Sequence, residues 1–202
     1  LMGWEMPASY FQSINPLAVI ILAPVLTLVW GFLYSRKLEP SSPKKMALGL
    51  LLVALGYVVI AIAVKGLGMG DKVSMMWLIS LYVIHSIGEL CLSPIGLSMV
   101  SKLAPLRLSS LMMGTWFLAN AAANKFAGTL SALIPPSGDA DPSVPVVYPS
   151  ILGFQITNLY EFFMVFIVMT GISAAILFIL SSWLQKMMNE NHSEYKQDMD
   201  AH

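Results

Sequence analysis

Charge is what this sequence has least of. Asp, Glu, Lys and Arg make up 11% of its 202 residues, where a soluble domain carries about a quarter. That excludes an ordinary water-soluble globule. The 11 basic and 11 acidic residues cancel, leaving no basic surface for nucleic acid and no acidic arm. A single cysteine, Cys91, excludes an internal disulfide framework and any multi-cysteine metal site, and reads as a small packing residue. The start, Leu1-Met2-Gly3-Trp4-Glu5, has no basic stretch followed by a short apolar core and cleavage site, so no signal peptide is expected. The alternation of polar and apolar residues that marks membrane β-barrel strands is missing from runs such as "MALGLLLVALGYVVIAIAV". No repeat with a period of about 20 to 50 residues stands out.

What is present is hydrophobic length. Apolar residues make up 57% of the chain, and a bilayer-spanning helix needs about 20 of them in succession. Five windows qualify, at 8–35, 46–64, 73–101, 108–134 and 155–185, and they predict an all-α, polytopic membrane helical bundle over 1–187. Cytoplasmic loops hold the excess of Lys and Arg. The loop "SRKLEPSSPKK", the loop "SKLAPLR" and the tail supply Arg36, Lys37, Lys44, Lys45, Lys102, Arg107, Lys186 and Lys196, against Lys65 and Lys72 on the other side. This places residue 1 outside and the C-terminus in the cytoplasm. The outer loop "IPPSGDADPSVPVVYPS" is too polar for burial and predicts irregular backbone. The tail, 188–202, is charged with little apolar periodicity and predicts a frayed end. The odd number of spans and the internal-looking start suit the C-terminal part of a larger bundle.

Ionisable groups at mid-membrane cost about 2.5 to 3.5 kcal/mol on insertion scales and face a bundle interior or a water-filled path. Glu89 and Lys125 are the two candidates. Spacing of i, i+4 and i+7 puts Glu89, Ser93 and Gly96 on one helix face. Pro94 removes the donor that would reach the Leu90 carbonyl, and Gly88 and Gly96 let the helix bend. Such a carboxylate either holds a cationic group or hydrogen-bonds a neighbouring helix. His85 lies one turn before it, but no third and fourth ligand at suitable spacing supports a metal.

Asn15, followed by Pro16, either faces the interior or hydrogen-bonds across a helix contact. Trp116 stands too deep in its span for interface anchoring and could wall a pocket. Gly114, Ala119, Ala121, Ala122, Ala123, Ala127 and Gly128 in the same span would let another helix approach closely. Lys125 could snorkel, or pair with Glu161.

Three segments in this order, "FQSINPLAVIILAP", "GELCLSPIGLSMVSKLAP" and "MMGTWFLANAAANKFAG", resemble the C-terminal half of the proton-dependent oligopeptide transporters (POT/PTR), a branch of the major facilitator superfamily. The resemblance runs from about Trp4 to Leu184. It implies that the five spans are the eighth to twelfth helices of a two-bundle transporter in the plasma (inner) membrane. It also implies symport of di- and tripeptides with protons by alternating access, with the proton as coupling ion and no cofactor. The acid of "GEL" is then Glu89, which meets the peptide amino terminus, and the asparagine of the "QSxNP" pattern, Asn15, helps bind the same end. Ser93 matches a polar pocket contact and Trp116 a side-chain pocket wall.

What the resemblance places ahead of these five spans is absent from this chain: the acid and arginine cluster of the first helix, and the seventh helix with its acidic coupling residue. Roughly half a binding site is therefore expected here, and no transport without the missing half. Two other readings stay open. One is a related transporter of another small solute, such as nitrate or an amino-acid conjugate; the other is a non-transporting truncated membrane subunit. Glu89 argues against a purely anionic cargo. The lack of a nucleophile with a base, or of a metal set at mid-depth, argues against an enzyme.

Overall fold

A computed structural model describes residues 13–66, 73–135, 148–151 and 153–200. Five α-helices account for nearly all of them: α1 Ile14–Ser35, α2 Ser42–Val64, α3 Met75–Leu103, α4 Ser109–Ser131 and α5 Leu159–Asp200. A 3-10 turn, Leu106–Leu108, joins α3 to α4, and a hairpin of β1 Ser150–Ile151 and β2 Phe154–Gln155 precedes α5. The chain is the all-α bundle that the apolar windows imply. Residues 8–12 of the first window lie outside the described residues.

Several boundaries shift for local reasons. α2 starts at Ser42 rather than 46 because Pro43 sits in its first turn, where a missing N–H breaks no intrahelical bond. The fifth helix starts at Leu159 rather than 155. Before it, Ser150 pairs with Gln155 and Ile151 with Phe154 around a tight turn at Gly153, whose φ is +87°. This hairpin meets the outer loop only at Ser150, and residues 136–147 of that loop lie outside the described residues. Asn158 then caps α5: its Oδ1 accepts from the Glu161 N–H at 2.8 Å, and Glu161 Oε2 accepts from the Thr157 N–H at 2.7 Å. At the other end α5 continues to Asp200 instead of fraying after 187. That stretch holds no Gly or Pro, and extending a formed helix carries no nucleation cost.

Among the described residues, four helical stretches are long and apolar enough to cross a membrane: α1, α2, Met75–Ser101 of α3 and Leu159–Lys186 of α5. α4 has the length, 23 residues or about 34 Å at 1.5 Å per residue. Its apolar character is diluted by Ser109, Ser110, Thr115, Asn120, Asn124 and Lys125.

α3 is the hub of the bundle. It packs on α1, α2, α4 and α5, and α2 in turn packs extensively on α5. The α2–α3 crossing is set by glycine. A Cβ on Gly49 would stand 2.7 Å from the Gly88 carbonyl oxygen, and one on Gly88 would stand 2.8 Å from the Gly49 oxygen. The two backbones meet where side chains are absent, with Cys91 buried beside them. Gly88 therefore serves close approach, and the helix of α3 continues through Pro94. Between α2, α3 and α5 lies an aromatic cluster. Tyr57 meets the edge of His85 at 4.7 Å and Phe166 at 5.2 Å, and Phe166 meets Phe162 at 5.0 Å. Such ring pairs add about 0.5 to 1.5 kcal/mol each beyond their buried area.

α1 and α2 are linked differently. Lys37, at φ +55°, ends α1 in a left-handed turn with Lys37 N–H donating to Tyr34 O and Leu38 N–H to Leu33 O, both at 2.9 Å. Lys45 of α2 then lies over the Trp30 ring of α1, 4.7 Å from its centroid, and pairs with Glu39 of the connecting loop.

Candidate functional site

Three polar residues within the hydrophobic spans, Asn15, Ser86 and Glu89, meet where α1 crosses α3. Pro16 falls in the first turn of α1, a position that tolerates proline, and Asn15 beside it turns toward α3. Its Nδ2 donates to Glu89 Oε2 at 3.1 Å. Behind it, the Ser86 hydroxyl donates to Asn15 Oδ1 at 2.6 Å and lies 2.8 Å from the Tyr82 carbonyl oxygen of its own helix. Ser86 is fully buried, Asn15 is half-buried and Glu89 is exposed. A chain of hydrogen bonds therefore runs from the packed interior of the helix pair to an open carboxylate.

The orientation of the Asn15 amide follows from these partners. An ionised carboxylate only accepts, so the amide nitrogen faces Glu89, and the amide oxygen then faces a hydroxyl that must donate. Among the described residues no cation pairs with Glu89. Its second oxygen and the second Asn15 N–H have no protein partner there. One acceptor and one donor thus lie side by side at the edge of an apolar helix pair.

Ser93 lies one turn further along α3, exposed and without a hydrogen bond among the described residues. Trp116 reaches across from α4 to α3. A Cβ on Gly96 would stand 2.5 Å from Trp116 Cη2, so the indole edge rests on the bare backbone at the i+7 position of the Glu89 face. Asn120 donates to the Trp116 carbonyl oxygen at 3.1 Å, within α4. The structure thus joins Asn15 directly to Glu89, places Trp116 on the same face of α3, and leaves Ser93 between them without a hydrogen bond among the described residues.

Three neighbours behave differently from what spacing alone suggests. His85 does not share the Glu89 site: its ring turns into α2, with Nε2 donating to Val53 O at 3.1 Å in space that Gly56 leaves open. Lys125 and Glu161 do not pair. Lys125 is exposed, and Glu161 is bound to Thr157 and Asn158 at the start of α5. Among the described residues, no helix packs against Gly114 and Gly128 of α4, which have nothing within 4 Å of a Cβ. Ser86 is the member of the site that span-by-span reading misses. Its i, i+3 spacing from Glu89 is the signal that could have found it.

A family model described as PTR2, POT family, matches residues 1–138. Peptide transporter YePEPT of Yersinia enterocolitica subsp. palearctica is 42% identical over 132 residues, covering 64% of this chain and 26% of the relative. Dipeptide and tripeptide permease A of Chromobacterium violaceum is 31% identical over 205 residues, covering 100% of this chain and 39% of the relative. Among solved structures, a mutant peptide transporter POT in complex with alafosfalin superposes with a TM-score of 0.73 at 34% identity, covering 93% of this chain and 34% of that one. A POT family transporter in complex with a thioalcohol-conjugated peptide gives 0.68 at 34% identity, over 91% and 34%. The chain spans about a quarter to two fifths of the length of the curated relatives named here.

Proposed function

The chain belongs to the POT family, and from that premise we propose that it forms part of a proton-coupled symporter of di- and tripeptides, with Glu89 as the docking point for the peptide's amino terminus. In this reading the protein lies in the plasma (inner) membrane with its C-terminus in the cytoplasm. The helices that this chain lacks, the N-terminal half and the seventh helix, complete the cavity and supply the proton-binding groups. The cargo moves by alternating access, without covalent chemistry or a cofactor other than the proton. Asn15 orients Glu89, Ser93 adds a polar contact on the same face, and Trp116 walls a side-chain pocket.

The observation that carries this reading is the unpaired carboxylate of Glu89, exposed on α3, fixed by Asn15 and lacking a cation among the described residues. A charge in an apolar span without a partner is costly. An ammonium supplied by the ligand provides the missing partner through a charge-assisted hydrogen bond. The same carboxylate disfavours a purely anionic cargo. The peptide named with each of the relatives above supports the cargo class.

The test is proton-driven uptake of a labelled dipeptide by the whole transporter that carries this chain, comparing wild type with Glu89→Gln. Loss of an ammonium–carboxylate contact lowers apparent affinity about tenfold or more. Driven uptake that is unchanged in Glu89→Gln removes Glu89 from the mechanism. A dipeptide and its N-acetylated form competing equally well in wild type removes the amino terminus as the recognised group.

A further inference from the structure

Ser86 belongs to no expected site, yet among the described residues it is the most enclosed polar side chain, with 0% of its surface exposed. A serine inside a helix ordinarily donates to the carbonyl four residues back, here Tyr82 O at 2.8 Å. Its shorter contact is outward to Asn15 Oδ1 at 2.6 Å, 71 residues away in sequence. We propose that Ser86 is a positioning residue: its hydroxyl occupies the Asn15 amide oxygen, so that Asn15 offers the ligand an N–H donor while Glu89 alone offers an acceptor. The inference rests on the reading of Asn15 and Glu89 as the amino-terminal site.

The geometry leads there in three steps. Asn15 Nδ2 carries two hydrogens, one of which goes to Glu89 Oε2 at 3.1 Å; the other has no partner among the described residues. Turning the amide over would set its oxygen against the carboxylate at that distance, acceptor against acceptor. Ser86 opposes the same turn from the other side by donating to the oxygen. An amide anchored at both ends presents a fixed donor beside a fixed anion.

The chemistry that fits is an ammonium with a carbonyl oxygen close to it, which is the first residue of a peptide. The ammonium takes the free oxygen of Glu89, and the first peptide carbonyl takes the free N–H of Asn15. Ser86 does not touch the ligand. It makes the site read the carbonyl as well as the charge.

The experiment compares the whole transporter as wild type, Ser86→Ala and Ser86→Cys. The probes are alanyl-alanine and its thioamide analogue, in which sulfur, a weak acceptor, replaces the first carbonyl oxygen. The readout is the ratio of their apparent affinities in competition against a labelled dipeptide. Wild type is expected to prefer the oxo peptide about three- to tenfold, the range of one neutral hydrogen bond. Both variants are expected to bring the ratio toward one, with Glu89→Gln still losing affinity for each. A merely structural role would weaken both ligands together and leave the ratio at its wild-type value, and that result overturns the proposal. A wild-type ratio of one overturns it as well. Ser86→Cys keeps a side chain of the same shape, slightly larger and with a poor donor, so the comparison survives if the smaller alanine disturbs packing. Failure of the underlying reading is seen separately, as Glu89→Gln binding both peptides like wild type.

Discussion

Gly88 and Glu89 are adjacent in the chain and serve opposite sides of α3. Toward α2 and α5 the bundle is closed: Gly49 and Gly88 bring two backbones together, Cys91 is buried beside them, and aromatic rings fill the space where α5 joins. Toward α1 and α4 it is open: Glu89 and Ser93 are exposed, and Trp116 meets α3 with its indole edge at Gly96. Small residues alone do not make the difference, because α4 is as rich in Gly and Ala as α2. They close a contact only where a second backbone is present to occupy the space. The closed side fixes the frame of α3, and the open side carries polar groups that would be intolerable within it.

The largest test of this contrast is Gly88→Val against Gly114→Ala. A side chain at Gly88 meets the Gly49 oxygen at 2.8 Å and Val53 Cγ2 at 2.9 Å, so α2 and α3 must separate. Overpacking of this kind costs about 1 to 3 kcal/mol and more where backbone must move. A large fall in the thermal midpoint of the detergent-solubilised protein is the expected outcome. Gly114 has nothing within 4 Å, so alanine there is expected to be neutral or to stabilise α4 by up to about 1 kcal/mol. Equal melting of Gly88→Val and wild type breaks the contrast. Destabilisation by Gly114→Ala in the whole transporter sharpens it, since it would show that a further helix covers the face left bare here.

A smaller effect on stability, and a local one, is expected at Gly96. An added methyl would stand 2.5 Å from Trp116 Cη2 and 3.2 Å from Met46 Cε. Trp116 is half-exposed and can swing away from α3, so the change in stability is expected to stay below about 1 kcal/mol. Its indole moves into a more polar setting. The measurement is the emission of Trp116, obtained as the difference between proteins with and without Trp116→Phe, in the wild-type and Gly96→Ala backgrounds. A red shift in Gly96→Ala is expected; an unshifted spectrum would mean that Gly96 does not hold the indole in place.

The same contrast explains what could be read from the chain. Apolar length gives the helices, because a membrane leaves few other ways to satisfy a backbone, and the Asn15–Glu89 neighbourhood follows from segments shared with a known family. The start of α2 escapes an apolar window because Ser42, Lys44 and Lys45 are polar while Pro43 is already helical. His85 escapes because positions four apart differ by about 40° around a helix. That is enough for one to face α2 while the other faces open space, and the deciding feature is Gly56, far off in sequence. Ser86 escapes because a helical serine satisfies itself on its own backbone, so its outward bond to Asn15 is visible only once α1 is docked. The small-residue stretch of α4 predicts a close helix contact, which needs a partner backbone that the described residues do not place there.

The smallest expected effect lies at the hinge between the two sides, where α1 ends and α2 begins. Lys37 adopts φ +55°, a left-handed conformation that costs a residue with a Cβ about 1 to 2 kcal/mol. Two hydrogen bonds, Lys37 N–H to Tyr34 O and Leu38 N–H to Leu33 O, hold it there. Lys37→Gly relieves the steric cost but gives the unfolded chain more freedom, worth about 0.5 to 1 kcal/mol in the opposite sense. The net expectation is stabilisation by a few tenths to about 1 kcal/mol, read as a small rise in thermal midpoint. Lys37→Ala removes the same charge and keeps the Cβ, so it should give no such rise. If alanine stabilises as much as glycine, the charge rather than the backbone accounts for the gain.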